Sequence, residues 1–263
     1  RYFSGGQASV PLVIRGPNGG GVQLSTSGAF GFDRHALADG RRQDFVLVGL
    51  RLLVEALEAR LDTLERKPKL LYTIPAFQNP TGTSISADRR AALLDLAARR
   101  GLLILEDDPY GELWYGEEPA PALRADHPQV VYLGSFSKTM APGLRVGWMA
   151  PPPELLDLLL MAKEGADIHS NRMATRTVYH AAEGFLDEHV AQLRTFYAAR
   201  RDALVAGLSA SMPPEVEWNV PGGGFVIWLR LPEDISANKM LITAAKHDVA
   251  YLPGSWFYPI GNV

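Results

Sequence analysis

The amino-acid sequence predicts an α/β fold, in which a large domain with a mainly parallel sheet sandwiched by helices is joined to a smaller α+β domain. Between residues 45 and 150, short apolar runs alternate with amphipathic helical patterns, and a long helical stretch separates them from a differently patterned tail. A length of 263 residues suits two domains. We place the large domain at 25–187, and an N-terminal arm with the small C-terminal domain at 1–24 and 188–263.

Each element of this prediction rests on local pattern. Apolar runs predict strands at 45–48, 70–74, 102–105, 130–133 and 146–149. Amphipathic spacing predicts helices at 29–40, at 52–64 and from Ser86 to just before Gly101. A loop or arm is predicted over 7–24. Helical pattern fills 154–212, with one long helix over 188–212, and the tail is predicted as strand 225–229, helix 236–247 and strand 249–252.

Composition excludes several functions. The absence of cysteine excludes thiol nucleophiles, thiolate metal sites and disulfides, and the six histidines are scattered, so we expect no metal site. A formal net charge of −3 argues against nucleic acid as a partner. No apolar run approaches the ~18 residues of a membrane span. The first residues lack a signal-peptide layout, so we expect a cytoplasmic protein, although the chain looks incomplete at both ends.

The turn Asn79-Pro80-Thr81-Gly82 follows the predicted strand 70–74. Asn79 offers hydrogen-bond donors and an acceptor at a position where ligands bind on parallel sheets. Taken alone, these residue types indicate an ordinary turn more often than a ligand site.

Three carboxylates, Glu106, Asp107 and Asp108, follow the predicted strand 102–105. Their mutual repulsion requires a cation or a proton donor nearby. An aromatic nitrogen cation would satisfy one of them, and a divalent metal is the competing explanation. A solvated acidic loop explains the three carboxylates equally well.

Ser135-Phe136-Ser137-Lys138 follows the predicted strand 130–133, and Arg145 comes shortly after it. The lysine amine can bond to an aldehyde, and the hydroxyls and the guanidinium suit a phosphate. Alternatively, Lys138 is a solvated surface lysine.

The segment Ser25-Thr26-Ser27-Gly28-Ala29 precedes the predicted helix 29–40. Small residues at a helix N-terminus can bind an anion, although capping of the helix by Ser27 is the commoner role.

Together these segments supply what one cofactor requires. Pyridoxal 5′-phosphate has an aldehyde, a phosphate, a ring nitrogen and a phenolic oxygen. These groups match Lys138 as the aldehyde partner, Asp107 as the anion for the ring nitrogen, and Asn79 with Tyr110 as donors to the phenolic oxygen. The phosphate would be held by Ser27, Gly28, Ser135, Ser137 and Arg145.

The ordered motifs resemble the fold-type I aminotransferases of class I/II, notably 2-aminoadipate and kynurenine aminotransferases and the aminotransferase-like domains of MocR regulators. The resemblance runs from about residue 51 to 258 and is carried by 75–82, 106–110, 135–147, 222–225 and 251–258. It implies a pyridoxal-phosphate transaminase that moves an amino group from an L-amino acid to a 2-oxo acid such as 2-oxoglutarate, and a homodimer.

The resemblance also implies a role for each matching residue. Lys138 would be the Schiff-base lysine and would carry the proton. Asp107 and Tyr110 would be the other two catalytic residues. Asn79 would contact both cofactor and substrate. By the same resemblance, Gly5 and Gly6 would border the substrate pocket, and Ser27, Gly28 and Ala29 would form the phosphate-binding turn.

Two other functions remain open at this level. One is a MocR-like domain that holds the cofactor and senses an effector without turnover. The other is a different reaction of the same cofactor, such as decarboxylation or β-elimination. The cofactor residues are shared by all three and do not identify the amino donor.

Overall fold

A computed structural model of the chain describes residues 54–64 and 67–257 in full, together with the backbone of three short strands at 12–15, 21–24 and 45–48. The helix predicted at 29–40 lies outside these described residues. Within the described residues, no helix combines the length and the apolar character needed to cross a bilayer.

A five-stranded sheet forms the centre of the fold and has the order β3-β4-β5-β6-β7. The first four strands run parallel and β7 runs antiparallel to β6, which confirms the prediction of a mainly parallel sheet. The strands are β3 (Phe45–Val48), β4 (Leu70–Thr73), β5 (Leu103–Asp108), β6 (Val130–Ser135) and β7 (Gly147–Ala150).

Three helices accompany one face of this sheet: α1 (Val54–Thr63), α2 (Ala87–Arg100) and the short α3 (Leu123–Asp126). Helix α2 begins after Ser86, as predicted, and ends where Gly101 adopts φ 62° and donates its N–H to the last turn. Apolar side chains from these helices and from the sheet pack into one buried cluster that includes Leu57, Leu61, Leu71, Leu93, Leu96, Ile104, Leu123 and Val130.

The opposite face of the sheet carries a second, smaller cluster. It contains Tyr72, Leu105 and Val131, and Leu155 of helix α4 (Pro153–Asp167) packs against it. Because successive strand residues point to opposite faces, odd-numbered residues of β5 lie on this side and even-numbered residues on the other. The sheet is therefore sandwiched, as predicted.

Helix α5 (Arg172–Ser211) is 40 residues long and begins well before the predicted start at 188. The side chain of Asn171 accepts a hydrogen bond from the N–H of Ala174 and caps it. The predicted start was wrong because no proline interrupts this stretch, and the glycine within it, Gly184, is tolerated in a helix. The helix runs continuously across 187/188, and the division into two domains there stays a prediction.

The N-terminal and C-terminal segments differ from the prediction. Strands β1 (Leu12–Arg15) and β2 (Gly21–Leu24) pair antiparallel where a loop was predicted. The predicted strand 225–229 is reduced to β9 (Leu229–Arg230), which pairs with β8 (Glu217–Trp218). The apolar pattern of 225–228 serves side-chain packing, and the N–H of Trp228 bonds to the side chain of Asn219 at 3.0 Å and not to a strand.

Helix α6 (Ala237–Ala245) confirms the helix predicted at 236–247. The strand predicted at 249–252 does not form. The N–H of Val249 returns to the carbonyl of Ala244 at 3.1 Å, so the chain leaves α6 in a turn, and the Tyr251 hydroxyl bonds to the Ala237 carbonyl at 2.7 Å. These apolar residues pack locally and do not enter a sheet.

Candidate active site

Three of the predicted polar segments leave the same edge of the sheet. The turn with Asn79 follows β4, the acidic residues end β5, and the segment with Lys138 follows β6. These strands are parallel neighbours, so their carboxyl ends meet, and ligands bind at this edge in such sheets. Strands β5 and β6 are longer than predicted, since Glu106, Asp107 and Asp108 lie within β5 and Ser135 ends β6.

The buried carboxylate of Glu106 has a structural partner. Its Oε1 accepts a hydrogen bond from the N–H of Leu123 at 2.8 Å, and its Oε2 accepts one from the N–H of Arg124 at 3.0 Å. Burial raises the pKa of Glu106, and the two backbone hydrogen bonds oppose that rise. Glu106 therefore anchors α3 to the sheet and does not belong to the site.

The carboxylate of Asp107 lies on the face of the sheet that carries Tyr72. The hydroxyl of Tyr72 donates to Oδ2 of Asp107 at 2.5 Å. Burial raises the pKa of Asp107 to about 6, the hydrogen bond from Tyr72 opposes this, and the neighbouring Asp108 adds to it. At neutral pH the group is thus a buried carboxylate with one identified donor.

The carboxylate of Asp108 points to the opposite face and is held by other donors. Tyr132 donates its hydroxyl to Oδ2 at 2.9 Å, and the N–H of Gly111 donates to Oδ1 at 2.7 Å. A side chain at position 111 would clash with the carboxylate, because an added Cβ would lie against its Oδ2. The three adjacent carboxylates thus have separate proton donors, which was one of the two solutions expected from the sequence.

A divalent metal was the competing explanation for the acidic run. In the part of the chain that the structure describes, no three His, Cys, Asp or Glu side chains are grouped so as to hold a metal ion.

Lys138 and Arg145 lie together after β6. The Lys138 side chain is half-buried, and its pKa is lowered first by burial and then by the positive charge of Arg145. Nη1 of Arg145 lies 3.4 Å from Oγ of Ser137 and 3.0 Å from the Pro142 carbonyl. The N–H of Ser137 in turn donates to Oγ of Ser135 at 3.1 Å. An amine with a lowered pKa thus stands beside hydroxyl and guanidinium donors.

The turn that carries Asn79 is held by its neighbours. Oε1 of Gln78 accepts hydrogen bonds from the N–H of Thr81 at 3.0 Å and from its hydroxyl at 2.5 Å. The side chain of Asn219 donates to the Thr81 carbonyl at 2.8 Å, which ties the turn to the C-terminal part of the chain. Asn79 is therefore presented by a braced turn, and its bond to Pro80 is cis.

Tyr110 follows Asp107 and Asp108 and is buried. Burial raises the pKa of its hydroxyl to about 12, and the negative charge of Asp107 contributes. The ring meets Phe225 edge-on, with centroids 5.7 Å apart. The structure thus places Tyr110 next to Asp107, and Phe225 of the Gly222–Phe225 motif packs against it.

Sequence reasoning missed Tyr72 and Tyr132 as partners of the acidic residues. Each lies on a strand that flanks β5, and the register pairs Tyr72 with Leu105 and Tyr132 with Glu106. The signal available in the sequence was a tyrosine in each flanking apolar run. Only the strand register shows that these tyrosines lie beside the aspartates of β5. Five other predicted site residues lie outside the described residues: Gly5, Gly6, Ser27, Gly28 and Ala29.

The described residues fit the chemical groups of pyridoxal phosphate. Asp107 supplies a buried anion, Lys138 an amine with a lowered pKa, and Ser135, Ser137 and Arg145 supply donors for a phosphate. All of them lie on the strand edge where a ligand is expected.

The chain is similar in sequence to a known family and to named proteins. A sequence model of the family "Aminotransferase class I and II" matches residues 43–259. The aromatic-amino-acid aminotransferase 1 of Thermococcus litoralis is 42% identical over 211 residues, which cover 78% of this chain and 51% of the relative. An uncharacterised HTH-type transcriptional regulator of Bacillus subtilis is 36% identical over 214 residues, covering 79% of this chain and 44% of the relative.

A solved structure shows the same fold. The chain superposes on the crystal structure of Pyrococcus horikoshii kynurenine aminotransferase in complex with PMP with a TM-score of 0.76. The two sequences are 41% identical, and the match covers 80% of this chain and 54% of that one. The chain thus spans about half the length of the curated relatives it matches. The family match covers most of its residues, and on that ground the chain belongs to the class I and II aminotransferase family.

Proposed function

We propose that this chain is the cofactor-binding part of a pyridoxal-phosphate-dependent aminotransferase, which transfers an amino group from an L-amino acid to a 2-oxo acid such as 2-oxoglutarate. The observation that carries the proposal is the presence, at the carboxyl ends of two neighbouring parallel strands, of the buried carboxylate Asp107 and of the half-buried amine Lys138, whose pKa is lowered. The named activity of the Thermococcus litoralis relative supports it.

In this proposal each residue acts on one part of the cofactor. Nζ of Lys138 would condense with the aldehyde, with loss of water, and Asp107 would face the ring nitrogen. Asn79 and Tyr110 would contact the phenolic oxygen. The phosphate would be held by Ser135, Ser137, Arg145, Ser27, Gly28 and Ala29, and the substrate would be bordered by Gly5, Gly6 and Asn79.

When bound, pyridoxal phosphate withdraws electrons from the Cα of an amino acid and so makes its proton acidic. The protein must then supply a base for that proton. Nζ of Lys138 is suited to this role because a lowered pKa makes the neutral amine more available at working pH. Asp107, whose pKa is raised to about 6, would supply the negative charge that keeps the ring nitrogen protonated.

The first experiment identifies the residue that bonds to the cofactor. The protein is incubated with pyridoxal phosphate, treated with borohydride and digested, and the peptides are analysed by mass spectrometry. We expect the added mass on Lys138, and none in Lys138→Ala. Lys163→Ala is the matched control, because Lys163 is ion-paired with Asp167 on α4 and lies outside the site. Labelling elsewhere, or none, contradicts the proposal.

The second experiment tests the reaction. The loaded protein is mixed with single amino acids in the absence of a 2-oxo acid, with aromatic donors and kynurenine first because similar proteins carry these names. We expect one equivalent of 2-oxo acid per bound cofactor, followed by glutamate when 2-oxoglutarate is added. A spectral change without release of a 2-oxo acid would identify a sensor, and release of carbon dioxide would identify a decarboxylase.

We also propose a homodimer that works in the cytoplasm. Helices α4 and α5 expose large apolar side chains, including Leu158, Met161 and Met173, which are 64%, 70% and 82% exposed. A second copy of the chain would cover such a surface. Light scattering on the eluting protein should give twice the monomer mass, and a monomer at micromolar concentration would contradict this. Cell fractionation checks the location.

A further inference from the structure

The hydroxyl of Tyr72 is the hydrogen-bond partner of Asp107 among the residues that the structure describes. Tyr72 lies on β4 opposite Leu105, on the face to which Asp107 also points. Its ring is 6% exposed and belongs to the buried cluster on that face. A rigid, buried phenol therefore meets one carboxylate oxygen, Oδ2.

The neighbouring pair provides a built-in comparison. Tyr132 on β6 donates to Asp108 at 2.9 Å, on the opposite face of the same strand. Each tyrosine thus places one hydroxyl on one carboxylate, from the strand on either side of β5. Asp108 also accepts a hydrogen bond from the N–H of Gly111, so it still has this donor when the Tyr132 hydroxyl is removed.

The chemical consequence of a phenol on Oδ2 is twofold. A hydrogen bond from a neutral donor to a carboxylate favours the ionised form, which burial disfavours. It also restricts rotation of the carboxylate, so that Oδ1 keeps one direction. Both effects matter for a group that must present a negative oxygen to a ring nitrogen.

We propose that Tyr72 is a positioning residue that acts through Asp107, holding its carboxylate ionised and oriented toward the ring nitrogen of the cofactor. The inference rests on the proposed function, because it presupposes that Asp107 faces that nitrogen. It assigns a role to a residue of the apolar run of β4.

The experiment compares the wild-type protein with Tyr72→Phe, Tyr132→Phe, Asp107→Asn and the double variant Tyr72→Phe/Asp107→Asn. Each is loaded with pyridoxal phosphate labelled with ¹⁵N in the ring, and the ring-nitrogen chemical shift and the cofactor dissociation constant are measured. Thermal melting without cofactor confirms that each variant is folded.

In Tyr72→Phe we expect the ring-nitrogen shift to move toward its unprotonated value and the cofactor to bind about tenfold more weakly, since one hydrogen bond to a charged group is lost. Tyr132→Phe should leave both quantities as in the wild type. In the double variant, Tyr72→Phe should add nothing to the loss caused by Asp107→Asn, because its effect passes through that carboxylate.

The outcomes separate the two proposals. If the wild-type protein does not bind the cofactor, or if Asp107→Asn leaves the ring-nitrogen shift unchanged, the proposed function fails. If Asp107→Asn changes the shift but Tyr72→Phe does not, the function stands and the role of Tyr72 is wrong. A loss in the double variant equal to the sum of the two single losses would also overturn the role, since Tyr72 would then act independently.

Discussion

Oε1 of Glu106 accepts a hydrogen bond from the backbone N–H of Leu123 at 2.8 Å, in a place where both residues are almost fully buried. Together with the hydrogen bond from the N–H of Arg124, it makes the Glu106 side chain the acceptor for the first two N–H groups of α3. The three consecutive carboxylates thus accept hydrogen bonds from three different sets of donors, and the difference between them can be tested residue by residue.

Removing the Glu106 side chain should destabilise the fold without touching the site. Glu106→Ala leaves the N–H groups of Leu123 and Arg124 without their partner, and we expect the free energy of unfolding to fall by about 2–4 kcal/mol. Glu106→Gln keeps one acceptor and should cost less. Urea unfolding measures both.

The control for this prediction is Glu118→Gln, at an exposed position. It should change stability by less than about 0.5 kcal/mol. A Glu106→Ala protein as stable as the wild type would show that the hydrogen bonds of Glu106 contribute nothing.

Replacing Asp107 should stabilise the cofactor-free protein while weakening cofactor binding. The pKa of Asp107 is raised from 3.8 to about 6, so folding buries a charge above that pH. We expect Asp107→Asn to gain about 2–3 kcal/mol at pH 8, since each pKa unit corresponds to about 1.4 kcal/mol.

The pH dependence of that gain is specific. Well below the unfolded-state pKa of 3.8 the carboxyl is protonated in both the folded and the unfolded protein, so the gain should shrink as the pH falls from 6 toward 4. Thermal melting of cofactor-free protein at several pH values measures it. Asp157→Asn, at an exposed position on α4, is the control. A gain that is constant with pH would refute the assignment.

The charge of Arg145 should add to the effect of burial on the reactivity of Lys138. Its positive charge contributes to the lowered pKa of Lys138, so Arg145→Met should raise that pKa and leave less neutral amine at pH 8. In cofactor-free Arg145→Met we expect Lys138 to be acylated more slowly than in the wild type. Peptide mass spectrometry over time measures the rate.

Arg145→Lys is the matched variant because it keeps the positive charge. It should leave the acylation rate close to that of the wild type, although it loses the planar guanidinium that suits a phosphate. Equal rates in Arg145→Met and the wild type would mean that burial alone sets the pKa of Lys138.

Gly223 is expected to tolerate no side chain. A Cβ there would lie 2.5 Å from the Leu113 carbonyl and 2.6 Å from the ring of Phe77, whose chain leads into the turn of Asn79. We expect Gly223→Ala to lower the free energy of unfolding by about 1–3 kcal/mol. A Cβ at Gly116 would meet open space, so Gly116→Ala should leave the free energy of unfolding nearly unchanged. Urea unfolding measures both variants.

Much of the central fold could be predicted from the sequence. Strands β3 to β7 and helices α1, α2 and α6 follow local apolar periodicity and end signals such as Gly101, which need no knowledge of distant residues. The predictions failed where an apolar run packs without strand pairing. Phe225 contacts Tyr110 and Tyr197 through its ring, and its backbone belongs to no strand.

The sequence by itself determined which chemical groups are available: the lysine, the aspartate, the hydroxyls and the arginine, in an order typical of one cofactor. Only the tertiary structure decided what each carboxylate does. Alternation along β5 sends Asp107 and Asp108 to opposite faces, and the register of β4 and β6 chooses Tyr72 for one and Tyr132 for the other. Hydrogen bonds depend on distances of about 3 Å between residues 24 to 35 positions apart, and strand pairing sets those distances.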